Sequence, residues 1–245
     1  MDEAQIVSKT VDFIKGKLTG EGSGHDWWHI QRVWQIAKHV ASKEKANMIV
    51  VELAALLHDI ADWKFNEGDD KAGGRAAHEW LESLGVDKEI IDHVVKIVDG
   101  ISFKGAGVED KLVTIEGKVV QDADRLDAIG AMGIGRTFTY GGHKGREMYN
   151  PDTKVLMAKN FEEYKKAGQT TINHFYEKLL LLKDRMNTET GKEMAEGRHK
   201  FMEQFLDEFF AGAEEFFQFG FARNYVSYTT REKVFYLIHV FILSP

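Results

Sequence analysis

The chain has 245 residues, 43 % of them hydrophobic and 29 % charged, with a net charge of -7. That composition excludes a mainly disordered or fibrous protein, and the acidic balance argues against general nucleic-acid binding, which needs a basic face. Cys is absent, so there is no disulfide and no thiolate site, and a bound metal must rest on nitrogen and oxygen donors.

Only two Pro and long runs of 3.6-residue periodicity predict an all-α domain. Val7, Val11, Ile14 and Leu18 form the stripe of a first helix, ended by Gly20, Gly22 and Gly24. A second helix starts near Asp26 and runs to about Ser42, with Val33, Ile36 and Val40 facing inward. Asn47 suits the N-cap of a third helix over Met48 to about Ala61, and Asp87 that of another reaching Val98. Leu112 to Met132, Thr170 to Met186 and Gly191 to Phe210 also read as helices. Tyr140 to Asp152, with Gly141, Gly142, Gly145 and Pro151, reads as a loop: either a plain surface connection or a flap that closes over a ligand.

Residues 1–211 are expected to form one domain. The segment 212–245 differs in character, holding nine of the 28 aromatic residues in 34 positions, and Val226 to Leu243 looks strand-like; it reads as an extension of unknown role. No apolar stretch approaches the roughly 20 residues of a membrane span. The acidic start Met1-Asp2-Glu3-Ala4 is unlike a secretory signal. A cytoplasmic protein with no membrane partner is expected.

Three segments place ligand-type side chains in helical patterns. His58 follows Val51 and Ala55 on one stripe and so faces the core, while Asp59 lies about 100° further round the helix. A cation over the groove between them could take one ligand from each, and Asp62, one turn beyond His58, could touch a water on that cation. A helix end with a capping His and solvated carboxylates would read the same way. His29 is in line with Val33, Ile36 and Val40, as either a ligand or a hydrogen-bonded core residue. Asp122, Asp124 and Asp127 interrupt an apolar helical pattern. Buried unpaired carboxylates are costly, so a cation should lie nearby. Asp122 and Asp127 are expected at the surface and Asp124 inward.

In order and helical setting, His29, then His58-Asp59, then Asp124 resemble the H…HD…D signature of the HD-domain metal-dependent phosphohydrolases. Similarity to a bacterial-type branch of HD hydrolases and nucleotide pyrophosphohydrolases extends over roughly Gly22 to Phe210. It includes Gln121-Asp122-Ala123-Asp124-Arg125-Leu126-Asp127-Ala128-Ile129-Gly130, Asn173-His174-Phe175-Tyr176-Glu177-Lys178-Leu179 and Met186-Asn187-Thr188. The resemblance implies an HD-type helical bundle with His29, His58, Asp59 and Asp124 as metal ligands. It places Asp62 where related enzymes carry the acid that handles the attacking water. The alarmone-hydrolysing branch has a second acid one residue later; here that residue is Trp63, which disfavours alarmone hydrolysis. The glycine-and-proline motif of cyclic-dinucleotide cleavage is also missing.

Two imidazoles and two carboxylates on one divalent ion (Mn, Mg, Co, Ni or Fe) leave coordination positions for water and a phosphate oxygen. The first shell is then neutral, so phosphoryl charge needs further cations. Arg32, one turn from His29, and Lys104 are the candidates for substrate binding, although each also suits a solvated surface position. Trp27, Trp28 and Trp63 could stack on a base or serve as core. The expected reaction is hydrolysis of a phosphoester or phosphoanhydride bond of a nucleotide, as a nucleotidase or nucleoside triphosphate pyrophosphohydrolase. The rival readings are a di-iron oxygenase recruiting His78 and His93, and a non-catalytic nucleotide sensor. Assembly into a homo-oligomer is left open.

Overall fold

The computed structural model describes residues 1–20, 22, 24–61, 69, 71–110, 112–160, 162–163 and 170–220, with side chains to 213. Among these the secondary structure is helical, with no strand: α1 (Glu3–Leu18), α2 (Trp27–Glu44), α3 (Met48–Leu57), α4 (Ala72–Ser83), α5 (Lys88–Gly100), α6 (Ile115–Asp127), α7 (Gly130–His143), α8 (Asn173–Glu177) and α9 (Glu189–Gly220). No helix of the described residues is long and apolar enough to cross a membrane. The chain divides into two compact units, Met1–Lys200 and Phe201–Pro245. The strand-like reading of Val226 to Leu243 lies outside the described residues.

α3 is apolar almost all round and buries Ile49, Val50, Val51 and the run Leu53 to Leu57. A helix without a polar face must be covered on every side, and α1, α2, α5 and α6 pack around it. α6 lies against α2 as well as α3, and the helix that carries His29 and the helix that ends at His58 therefore share one neighbour. Local chemistry starts the elements: Asp2 and Gln5 form a capping box on α1, and Asp26 accepts the N–H of His29 at 2.9 Å to open α2. Asn47 and Asp87 sit at the N-cap positions of α3 and α5 but make no capping hydrogen bond.

Four expectations are corrected. α3 ends at Leu57, and the Ile60 N–H returns to the Leu57 carbonyl at 3.1 Å, so residues 58–61 form turns rather than a continued helix. The pattern over Leu112 to Met132 is two helices: Ile129 is extended and Gly130 has φ +72°, a left-handed conformation that suits glycine and turns the chain into α7. Tyr140–His143 belong to α7, and the residues after it are tied back by Thr171 N–H to the Glu147 carbonyl and Ile172 N–H to the Met148 carbonyl. Thr170 to Met186 contains only the short α8, because Lys178 leaves helical geometry (φ -141°, ψ -61°); two 3-10 turns, Leu179–Leu181 and Lys183–Arg185, follow. Helix α4, which buries Gly74, Ala77 and Leu81, is not among the expected elements.

Candidate metal centre

α2 delivers His29, the end of α3 delivers His58 and Asp59, and α6 delivers Asp124. Their donor atoms meet: His29 Nε2 lies 3.1 Å from His58 Nε2, 3.3 Å from Asp59 Oδ2 and 3.6 Å from Asp124 Oδ1. His58 Nε2 lies 3.6 Å from Asp59 Oδ2 and 3.9 Å from Asp124 Oδ1. His29 and His58 are buried, whereas the Asp124 side chain is 30 % exposed and opens the cluster to solvent.

The outer nitrogens decide what this cluster can hold. His58 Nδ1 is 2.8 Å from the Ala55 carbonyl, which only accepts, so that nitrogen carries the hydrogen. His29 Nδ1 faces Asp127 Oδ2 at 2.7 Å and is a donor for the same reason. In neutral rings carrying those hydrogens both Nε2 atoms would present lone pairs, and they stand 3.1 Å apart beside two carboxylate oxygens. Such a cluster of acceptors favours positive charge among them, as a ring proton or a bound cation. Ligands about 2.1 Å from a six-coordinate ion stand about 3.0 Å apart at right angles, close to the 3.1–3.9 Å found here. The donor set fits a divalent ion on mixed N and O ligands.

The electrostatics favour positive charge at this point, whether on the rings or on an ion. Burial opposes ionisation of Asp59, but His58 and His25 hold its pKa well below the usual carboxylate range. Burial likewise opposes ionisation of Asp124, and His58, His29 and Lys178 outweigh it, holding that pKa down. For His29, burial and the Arg136 charge disfavour protonation, yet hydrogen bonds to Asp127 and Asp59 raise its pKa.

The expected surface positions of Asp122 and Asp127 are overturned: both are buried, at 0 % and 2 % exposure. Each has dedicated partners, Asn187 and Thr188 for Asp122, and His29, Arg32 and Arg136 for Asp127. Arg32 grips Asp127 through Nε at 2.7 Å and Nη2 at 3.1 Å. Lys104 is half-buried between α5 and α6, next to Phe103, whose ring has Lys178 Nζ at 5.5 Å and Arg185 at 5.0 Å. Asp62 and Trp63 lie outside the described residues; Trp27 is buried and Trp28 is 61 % exposed. Among the described residues, the groups able to hold a metal are His29, His58 and Asp124, and His25, His29 and Asp59; His78 and His93 join neither.

Sequence reasoning missed Asp127, Arg136 and Lys178 as parts of the site, and left His25 between lining the pocket and a structural role. His25 Nδ1 lies 2.7 Å from Asp59 Oδ2, and the only advance signal is its place just before the N-cap of α2. Arg136 and Lys178 carry no local signal, since their placement depends on the reversal after α6 and the break after α8.

An all-α bundle that gathers two histidines and two aspartates around one site defines a class of helical domain with a candidate metal centre. The HD domain family model matches residues 27–129, and the chain belongs to the HD-domain phosphohydrolase superfamily. It is 41 % identical over 207 residues to the uncharacterized protein YpgQ of Bacillus subtilis (strain 168), covering 84 % of this chain and 93 % of the relative. A crystal structure of YpgQ in complex with ADP superposes with TM-score 0.68 at 38 % identity, over 85 % of this chain and 95 % of that one. An HD-superfamily hydrolase of Bacillus thuringiensis matches with TM-score 0.65 at 43 % identity, over 87 % and 99 % of the two chains. A protein of Lactobacillus plantarum matches with TM-score 0.79 at 35 % identity, over 88 % and 99 %.

Proposed function

We propose that the chain is a metal-dependent phosphohydrolase that cleaves a phosphoester or phosphoanhydride bond of a nucleotide through attack by water, as a nucleotidase or nucleoside triphosphate pyrophosphohydrolase. The observation that carries this reading is the convergence of the His29 and His58 Nε2 lone pairs with Asp59 and Asp124. The ADP complex of the similar YpgQ supports a nucleotide as the ligand.

In this reading His29, His58, Asp59 and Asp124 hold one divalent ion, either Mn, Mg, Co, Ni or Fe. When bound, the ion supplies Lewis acidity to a phosphoryl oxygen and acidity to a water molecule. Asp62 accepts the proton of the attacking water. Phosphoryl oxygens need cations beyond the neutral ligand set. Lys178 already acts on Asp124 and shares Phe103 with the chain beside Lys104, so these two lysines take the phosphate-binding role. Arg32 is committed to Asp127. A cytoplasmic setting and residues 1–211 as the functional domain complete the proposal.

Purified protein is incubated with nucleoside mono-, di- and triphosphates and Mn2+ or Mg2+, before and after chelation. Release of phosphate or pyrophosphate that disappears with chelator is the expected result. A folded, metal-loaded sample that releases neither overturns the reading. Elemental analysis separates the rivals, because a di-iron oxygenase carries two irons per chain. Asp62→Ala should keep the metal and lose the rate, whereas a sensor has no rate to lose.

A further inference from the structure

Asp127 is 2 % exposed, and its oxygens receive four hydrogen bonds. Oδ2 accepts from His29 Nδ1 at 2.7 Å, Arg32 Nη2 at 3.1 Å and Arg136 Nη1 at 3.1 Å. Oδ1 accepts from Arg32 Nε at 2.7 Å. Neither oxygen belongs to the converging donor set. With two guanidinium groups on it, the carboxylate acts purely as an acceptor. His29 must then carry its hydrogen on Nδ1 and present Nε2 as a lone pair.

Arg136 extends the same network. Its Nε donates to the Gly24 carbonyl at 2.9 Å, and the next residue, His25, places Nδ1 2.7 Å from Asp59 Oδ2. One guanidinium therefore links the backing of His29 to the segment that backs Asp59. α2, α6 and α7 all contribute to this clamp, so it fixes the position of His29 relative to the other helices as well as its ring orientation.

We propose that Asp127, held by Arg32 and Arg136, is a positioning residue that locks the Nδ1–H tautomer and orientation of His29 and thereby sets the metal affinity of the centre. The proposal rests on the metal-centre reading given above. It assigns Arg32 to the support of Asp127.

Two measurements test it. Long-range 1H–15N correlation spectra of the metal-free protein report the His29 tautomer without any substitution. Titration with Mn2+, following free ion by electron paramagnetic resonance, compares wild type, Asp127→Asn and Asp122→Asn. Asp122 is an equally buried carboxylate on the same helix whose bonds go to Asn187 and Thr188, so its variant controls for general loss of packing. The expected results are the Nδ1–H tautomer, Mn2+ affinity weakened about 10- to 100-fold by Asp127→Asn, and near wild-type affinity in Asp122→Asn. An Nε2–H tautomer, unchanged affinity in Asp127→Asn, or equal losses in both variants overturns the proposal. If Asp127→Asn does not fold, Arg136→Lys takes its place: Lys lacks the planar fork needed to hold Asp127 and the Gly24 carbonyl together, and unchanged affinity there is equally fatal. A folded wild type that takes up no Mn2+ overturns the metal reading and this proposal together, whereas wild-type uptake with an unaffected Asp127→Asn overturns the proposal alone.

Discussion

Asp122 Oδ2 lies 2.7 Å from Thr188 Oγ1 and 2.8 Å from the Thr188 N–H, joining the middle of α6 to the chain just before α9. Asn187 adds its N–H at 2.8 Å and its Nδ2 at 2.8 Å, both to Oδ1. One buried carboxylate thus satisfies the donors that open α9. Removing it strands them away from water. Asp122→Ala should cost about 3 kcal/mol, measured by urea unfolding. A loss below about 1 kcal/mol would mean the 187–188 turn finds other acceptors.

Gly133 sits just inside α7, close under the turn from α6. A Cβ there would lie 2.1 Å from the Ala128 carbonyl oxygen and 2.3 Å from its carbon. Both are backbone atoms and cannot swing aside. The same turn sets Asp127 against Arg136, so Gly133→Ala should destabilise the fold by about 3 kcal/mol and also weaken Mn2+ binding. A variant with a wild-type melting temperature would contradict this account of the turn.

Glu177 is 7 % exposed, and burial pushes its pKa up from the usual 4.5 to about 7, despite the Leu156 N–H and the nearby Arg146 charge. Between these two values the folded chain keeps a proton that the unfolded chain has released. Stability contributed by this group is therefore full below pH 4.5 and declines as pH rises towards 7. Glu177→Gln should match wild type near pH 4 and exceed it by up to about 3 kcal/mol at pH 8. Parallel unfolding curves for the two proteins at both pH values would show that Glu177 ionises freely.

If the four converging donors hold an ion, the ion must stabilise the folded chain, because the unfolded chain lacks the site. At a hundredfold excess over its Kd, Mn2+ should add about 2.7 kcal/mol relative to protein treated with chelator. His58→Ala removes one inward Nε2 and should abolish most of that difference in thermal unfolding. An identical Mn2+ response in the variant would remove His58 from the ligand set.

The converging residues were legible because each lies on a helix or at the turn that directly ends one, where the helical register still states its facing. His29 shares a stripe with Val33 and Val40, and His58 shares one with Val51 and Ala55, so both point inward whatever the neighbours are. Asp122 and Asp127 were misread because no local pattern announces that a carboxylate will meet Asn187 and Thr188, or two guanidinium groups. The break at Ile129-Gly130 hid inside a continuous apolar pattern, and with it the placement of Arg136.

By itself the sequence determined that the domain over 1–211 is helical, that the chain is free of thiol chemistry, and that it carries inward-facing His and Asp residues in the HD order, since composition and periodicity are properties of short segments. Only the tertiary structure decided that the two Nε2 atoms stand 3.1 Å apart, that the Nδ1 atoms face Asp127 and the Ala55 carbonyl, and that Asp127 stands behind His29. Those facts depend on how α2, α3, α6 and α7 are set against one another. Hydrogen bonds between residues up to 112 positions apart hold that arrangement, and a local pattern carries no information about such partners.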